Sequence, residues 1–340
     1  MKRLFFSIFW LYIFTATIIS QQKFATIGNF VLENGDTVYN CRIGYRTFGE
    51  LSKEKSNAIL FPTWFGGTSE QLANLIGDGK SKLLDSTKYF IIAVDALGNG
   101  ISTSPSNSLK QPNSQFPQFS MNDIVRTQYH LLKNELGIDR LYAAIGGSMG
   151  SMQVLELMVS YPDFVKKVIA YVPTPWSSSY DKLLWSIRDE FIVLAHKYGM
   201  REREIFKIIN MFTQLVASTP DWYVKNNPSE KFTEVLKSFD KEAPTYWSSY
   251  DYLYQLRTML THDISKKFNS KSELKNIVKS DLLLIISKQD HILHPSSAME
   301  LAKILDCKQL ILDSECGHLA VKCNIDEIRE EIEKFLNHTN

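Results

Sequence analysis

A serine set among glycines, Gly146-Gly147-Ser148-Met149-Gly150, stands directly after an apolar run at 141–145 and directly before a helical pattern that begins near Met152. A G-x-S-x-G segment between a strand and a helix holds a serine on a sharp, strained turn, with its hydroxyl projecting from the sheet edge. Flanking glycines let neighbouring chain pass without a Cβ clash. The start of the helix adds a positive dipole end where an oxyanion would form. The chemistry such a residue offers is attack on an acyl carbon and formation of an acyl-serine.

A serine hydroxyl is a weak nucleophile until a positioned base takes its proton, so a histidine and an orienting acid are required downstream, in the order Ser, Asp or Glu, His. Asp290 follows the strand-like run 282–286, and His318 follows the run 309–312. They are 28 residues apart, enough for one helix (297–305) and one strand between them. The three side chains are therefore expected at one edge of a parallel sheet. His291 and His294 adjoin Asp290 and raise the alternative of a metal site, but no fourth ligand stands nearby, and Pro295 reads as a turn. His130, His196, His262 and His338 read as surface or core residues. Asp313, five residues before His318, reads as a loop charge rather than the acid. Neither a metal nor a bound cofactor is expected.

Oxyanion donors in such a site come from the amide after the nucleophile, here Met149, and from one in the loop after an early strand. That loop is Pro62-Thr63-Trp64-Phe65-Gly66-Gly67-Thr68, with Phe65 as the second donor.

The elements that must carry these residues are legible in outline. Alternation around Glu33-Asn34-Gly35-Asp36 predicts an N-terminal hairpin over 30–46. Apolar runs at 58–61, 89–94 and 141–145 read as buried parallel strands, and helical spacing at 120–136 and 152–159 separates or follows them. Strand character is absent from about 174 to 275, where aromatic-rich helical segments carry Trp176, Trp185, Trp222, Tyr246 and Trp247. A closing helix follows at about 325–336. The fold class is thus α/β, a mostly parallel doubly wound sheet over 21–173 and 276–340, with a helical cap inserted at 174–275. Cap aromatics would suit an apolar acyl group, although at helical spacing they also read as ordinary core.

Of 340 residues, 44% are hydrophobic, which suffices for one large core; 38 basic and 37 acidic residues leave a net charge of +1 and no field to draw in nucleic acid. Lys2 and Arg3 precede an almost uncharged stretch at 4–19, the layout of a signal peptide over 1–20. An exported protein, periplasmic or secreted and with no stable membrane insertion after the leader is removed, is the expectation, with a retained anchor as the alternative. The four cysteines, Cys41, Cys307, Cys316 and Cys323, read as small buried hydrophobes. Export would permit a bridge among the last three, which sequence cannot pair.

Beyond these motifs, several segments in order resemble the homoserine O-acetyltransferase family of the α/β-hydrolase superfamily: residues 44–51, 57–60 and 146–150 with Met152-Gln153, and in the cap Tyr252-Leu253-Tyr254 with Arg257 and His262-Asp263. The resemblance implies a Ser-Asp-His triad on Ser148, Asp290 and His318. It also implies ping-pong transfer beneath the cap, with acetyl-CoA as co-substrate, and a homodimer built through the cap. Four departures concern the acceptor. Leu319 stands where that family carries an Asp that holds the substrate ammonium, Ser151 and Leu157 replace a Gly and an aromatic residue, and the oxyanion loop differs. A small-molecule acyl substrate and hydrolysis of a small ester or thioester are therefore expected first. Acetyl transfer to an alcohol such as homoserine comes next, and a non-catalytic binding protein on this fold last.

Overall fold

The structure is a computed structural model that describes residues 20–338. The predicted leader lies almost wholly outside the described residues. Among the described residues no helix is long and apolar enough to cross a membrane.

One sheet organises the chain, in the order β1-β2-β4-β3-β5-β6-β7-β8. Its strands are β1 (Lys23–Val31), β2 (Thr37–Phe48), β3 (Ala58–Pro62), β4 (Phe90–Val94), β5 (Leu141–Gly147), β6 (Val165–Tyr171), β7 (Asp281–Ser287) and β8 (Lys308–Leu312). A hairpin turns where expected, but its first strand, β1, starts at Lys23, seven residues before the expected span; β1 and β2 pair antiparallel, and β2 in turn runs antiparallel to β4. From β4 to β8 every pairing is parallel. The order reverses between β3 and β5, so the sheet is doubly wound, as expected. In such sheets ligands bind outside the carboxyl edge at this point of reversal. β3 is buried along its whole length, and β4 on all but its first residue. Their Ile, Leu, Phe, Ala and Val side chains alternate between two apolar clusters, one on each face of the sheet.

The helices are α1 (Ser69–Leu72), α2 (Met121–His130), α3 (Met149–Ser160), α4 (Ser179–Lys197), α5 (Glu202–Ala217), α6 (Pro220–Asn226), α7 (Phe232–Ser238), α8 (Ser249–Leu260), α9 (Leu274–Ile277), α10 (Ser296–Leu305), α11 (Ala320–Cys323) and α12 (Ile325–Asn337). Helices α2, α4 and α8 each open on a serine whose side chain accepts from the third amide of the helix, while an Asp there returns the bond to the serine's own amide. Such reciprocal caps explain why these helices start where they do. α3 is different: it is buried from Met149 to Val159 and lies between β5 and β6. It begins three residues before the apolar pattern, because the helix starts at the residue after Ser148.

Two features differ from expectation. β6 has no counterpart among the expected strands, since Lys166 and Lys167 interrupt its apolar run. Lys167 is nonetheless buried, and its Nζ donates to the carbonyls of Phe335 at 3.1 Å and His338 at 2.9 Å. Cys316 and Cys323 form a disulfide, not two buried thiols; Cys41 and Cys307 remain free.

Between β6 and β7 the described chain holds helices α4 to α9 and no strand. The last of these helices ends at Ile277, two residues past the expected boundary. At the base of this cap an isolated antiparallel bridge joins Trp176 to Asp263, and Ile264 N–H donates to Pro175 O at 3.0 Å.

Candidate active site

Ser148 sits between β5 and α3 with φ 55° and ψ −126°. This conformation is strained for a residue bearing a Cβ, and it persists because its surroundings admit no alternative. A Cβ on Gly146 would stand 2.1 Å from the Gly150 carbonyl oxygen, and one on Gly147 would stand 1.7 Å from the Tyr171 ring. Both positions thus need glycine for close approach. Ser148 N–H donates to Tyr171 O at 3.2 Å, and Ser151 Oγ donates to Ser148 O at 2.6 Å.

His318 is brought to this serine by the loop after β8. Its Nε2 lies 3.0 Å from Ser148 Oγ, and its Nδ1 lies 2.7 Å from Asp290 Oδ2. With the proton on Nδ1, the imidazole donates to the carboxylate and accepts from the hydroxyl. Asp290 comes from the loop after β7 and is buried. Its other oxygen, Oδ1, accepts from the amides of Ile292 at 2.8 Å and Leu293 at 2.9 Å. Every carboxylate oxygen is thereby held, and its charge is stabilised by donors that cannot rotate away. The three residues singled out from sequence are brought together; Asp313 instead lies out on the surface, 3.5 Å from Lys288. Among the described residues no group of three or more His, Cys, Asp and Glu could hold a metal ion.

Two structural ties fix His318. Gly317, with φ 58°, is packed so closely that a Cβ would meet the Gln289 carbonyl oxygen at 2.9 Å and Ser218 Cα at 3.2 Å. The disulfide joins Cys316, two residues before the histidine, to Cys323, five residues after it.

In the loop after β3, Trp64 to Gly67 form a tight turn closed by Gly67 N–H to Trp64 O at 2.9 Å, with Gly66 at φ 64°. In such a turn the second residue's amide is left free, and among the described residues Phe65 N–H has no hydrogen bond. Met149 is the first residue of α3, so helix geometry leaves its amide without a partner as well. Both expected oxyanion donors are therefore amides with spare hydrogens, Met149 next to Ser148 in the chain and Phe65 two residues past Thr63, whose carbonyl is tied to α3.

Two glutamines, for which sequence gave no role, hold this loop. Gln153 on α3 donates from Nε2 to Thr63 O at 2.8 Å, and accepts from Gln128 at 2.5 Å. Gln255 on α8 accepts from Gly66 N–H at 3.1 Å and donates to Leu97 O at 3.1 Å. The cap adds an aromatic roof: the Phe65 ring meets Tyr252 edge-on at 4.6 Å and Trp247 at 5.4 Å. Burial is the main cause that raises the Tyr252 phenol pKa, opposed by nearby Arg188 and Thr213.

Residues 58–322 match the alpha/beta hydrolase fold family. An ethyl acetate hydrolase of Pseudomonas veronii is 42% identical over 170 residues, which cover 49% of this chain and 48% of that protein. The chain thus spans about half the length of the esterase relatives it matches. A homoserine O-acetyltransferase of Methanohalophilus mahii is 29% identical over 347 residues, covering 91% of this chain and 71% of its own. Among solved structures, the acetyl esterase MekB superposes with a TM-score of 0.85 at 26% identity, over 94% of this chain and 98% of that one.

Proposed function

Because the chain belongs to the alpha/beta hydrolase fold family, an enzyme family, we propose that it hydrolyses small esters or thioesters through an acyl enzyme on Ser148. The observation that carries this reading is the continuous hydrogen-bonded line from Asp290 through His318 to Ser148. His318 Nε2 takes the proton from Ser148 Oγ as that oxygen attacks the acyl carbon. Charge that develops on the carbonyl oxygen is held by the amides of Met149 and Phe65. Collapse expels the alcohol, which leaves with the proton from His318, and the acyl group stays on Ser148. Water then gives its proton to His318, its oxygen attacks the ester carbonyl, and the acid departs as Ser148 regains its proton. Asp290 keeps the imidazole in the required tautomer throughout.

The test is turnover of p-nitrophenyl acetate by the purified protein and by Ser148→Ala. Loss of turnover in the variant, with an acetyl mass adduct on the native protein alone, is the expected result. A variant that keeps the native rate would remove the nucleophile assignment.

A second reading, transfer from acetyl-CoA to an alcohol such as homoserine, draws support from the match to homoserine O-acetyltransferases over most of the chain. Against it stands Leu319, 39% exposed beside His318, which cannot pair with an ammonium group. Release of CoA at a rate indifferent to homoserine would dismiss transfer. Export remains part of the proposal, supported by the Cys316–Cys323 bridge, since disulfides persist in oxidising compartments. N-terminal sequencing of the mature protein tests it.

A further inference from the structure

The cap contains a charge for which the hydrolytic chemistry has no use. Arg188, on the inner face of α4, is only 5% exposed. Its guanidinium lies over the Phe212 ring, 5.1 Å from the centroid, and beside the Tyr252 hydroxyl. Among the described residues no carboxylate forms an ion pair with it. Of the three acids on the same helix, Asp189 receives Arg257 at 2.6 and 3.3 Å, Asp181 accepts from the amides of His294 and Ser178, and Glu190 is exposed. Among the described residues Nε and Nη2 of Arg188 are buried without a hydrogen bond of ordinary geometry, as is Nε1 of Trp247, and the oxygen beside the guanidinium is the neutral Tyr252 hydroxyl, which also lies beside Thr213.

An isolated buried charge is among the most unfavourable features a protein can keep, and guanidinium can neither deprotonate nor accept. Trp247 Nε1 is a donor too, and the Tyr252 hydroxyl, which can accept from the guanidinium, carries no charge to balance it. Complementary chemistry is therefore an acceptor-rich anion, and the planar fork of arginine matches a carboxylate in two parallel hydrogen bonds. Location ties the group to the site: the Tyr252 ring, whose hydroxyl adjoins Arg188, packs on Phe65, and Trp247 packs on both. Arg188 is thus one aromatic layer from Phe65, whose amide is the expected second oxyanion donor.

We propose that Arg188, with the Tyr252 hydroxyl beside it, receives a carboxylate carried by the ester substrate. This inference rests on the esterase reading above and narrows its substrate to esters that bear a negative charge. A hydrogen-bonded charged pair of this kind contributes a factor of roughly 10 to 150 in binding.

The experiment compares kcat/KM for mono-p-nitrophenyl succinate and the neutral p-nitrophenyl butyrate, and for the acetate esters of lactate and of isopropanol, so that the carboxylate lies on the acyl side in one pair and on the alcohol side in the other. The native enzyme is expected to prefer the charged member of one pair, and Arg188→Met to lose that preference by roughly 10- to 150-fold. Arg188→Lys, which keeps charge without the fork, should fall between them. Equal handling of charged and neutral members in both pairs, with p-nitrophenyl acetate still turned over, overturns this inference and leaves the esterase reading standing. Thermal melting with free succinate gives a readout independent of turnover. A rise in Tm for the native protein that is absent in Arg188→Met supports the proposal; no rise, or the same rise in both, refutes it. Met in place of an unpaired arginine should also leave Tm unchanged or higher, whereas a guanidinium with a structural task would lower it.

Discussion

Replacing Cys316 and Cys323 together by alanine opens a bridge that spans seven positions and brackets His318. In the chain-entropy account, closing a loop of that length removes about 8 cal/mol/K from the unfolded chain, or about 2.4 kcal/mol at 25 °C. Spread over the unfolding entropy of a chain this long, about 700 cal/mol/K, the loss lowers Tm by about 3 °C. The effect on chemistry is separate and larger. Cys316 immediately precedes the short turn Gly317–Leu319 that carries the imidazole, and Cys323 ends α11. Both ends of the segment are tied to each other, and the base is held between them. A displacement of the imidazole by about 1 Å lengthens its 3.0 Å approach to Ser148 Oγ and is expected to lower kcat by roughly 100-fold, with KM little changed. The assay is steady-state hydrolysis of p-nitrophenyl acetate, run well below the melting temperature on the double variant and on native protein reduced with dithiothreitol. Wild-type kcat in the variant would refute the positioning argument. So would a fall in kcat that merely follows the unfolded fraction.

Asp290→Asn should lower kcat by about 10⁴-fold through the wrong imidazole tautomer while KM stays near its native value, which steady-state kinetics would show. Gly146→Ala places a methyl group 2.1 Å from the Gly150 carbonyl oxygen, so urea unfolding should show a loss of about 1–3 kcal/mol or more, accompanied by loss of turnover. His262 is buried in the cap base, and desolvation pushes its pKa from 6.5 down to about 4. Its folded state binds fewer protons than the unfolded chain between those values, so the stability it contributes is whole above pH 6.5 and drains away as pH falls towards 4. Unfolding free energies from denaturant titrations across that window should fall by up to about 1.4 kcal/mol per pH unit in the native protein, and more shallowly in His262→Gln.

The three reactive side chains were readable because each lies just past a strand whose apolar run marks it. Strand, turn and helix around Ser148 form a local signal, and chain order then restricts where an acid and a base can return to the same edge. β6 escaped notice for a physical reason: a lysine inside a core strand looks like a solvent residue until the carbonyls that satisfy it, at Phe335 and His338, are known. Those partners are 168 and 171 residues away. The bond from Gly66 to Gln255 spans 189 residues, and a glutamine on an otherwise ordinary helix carries no mark of such a task. The Cys316–Cys323 bridge is not legible because spacing alone cannot pair three thiols. The start of α3 is hidden, since apolar periodicity first shows at Met152 whereas the helix begins at Met149, directly after the strained serine.

In the proposed mechanism Gln255 makes the cap a participant and not merely a cover. One carboxamide grips Gly66, the neighbour of Phe65, and the Leu97 carbonyl three residues after β4. An acyl chain long enough to wedge α8 outward would drag that grip with it and tilt the donor that must meet the nascent oxyanion. Oversized esters should then bind and stall: along a homologous series of p-nitrophenyl esters kcat would collapse before KM climbs, and size discrimination would act as an interlock on turnover.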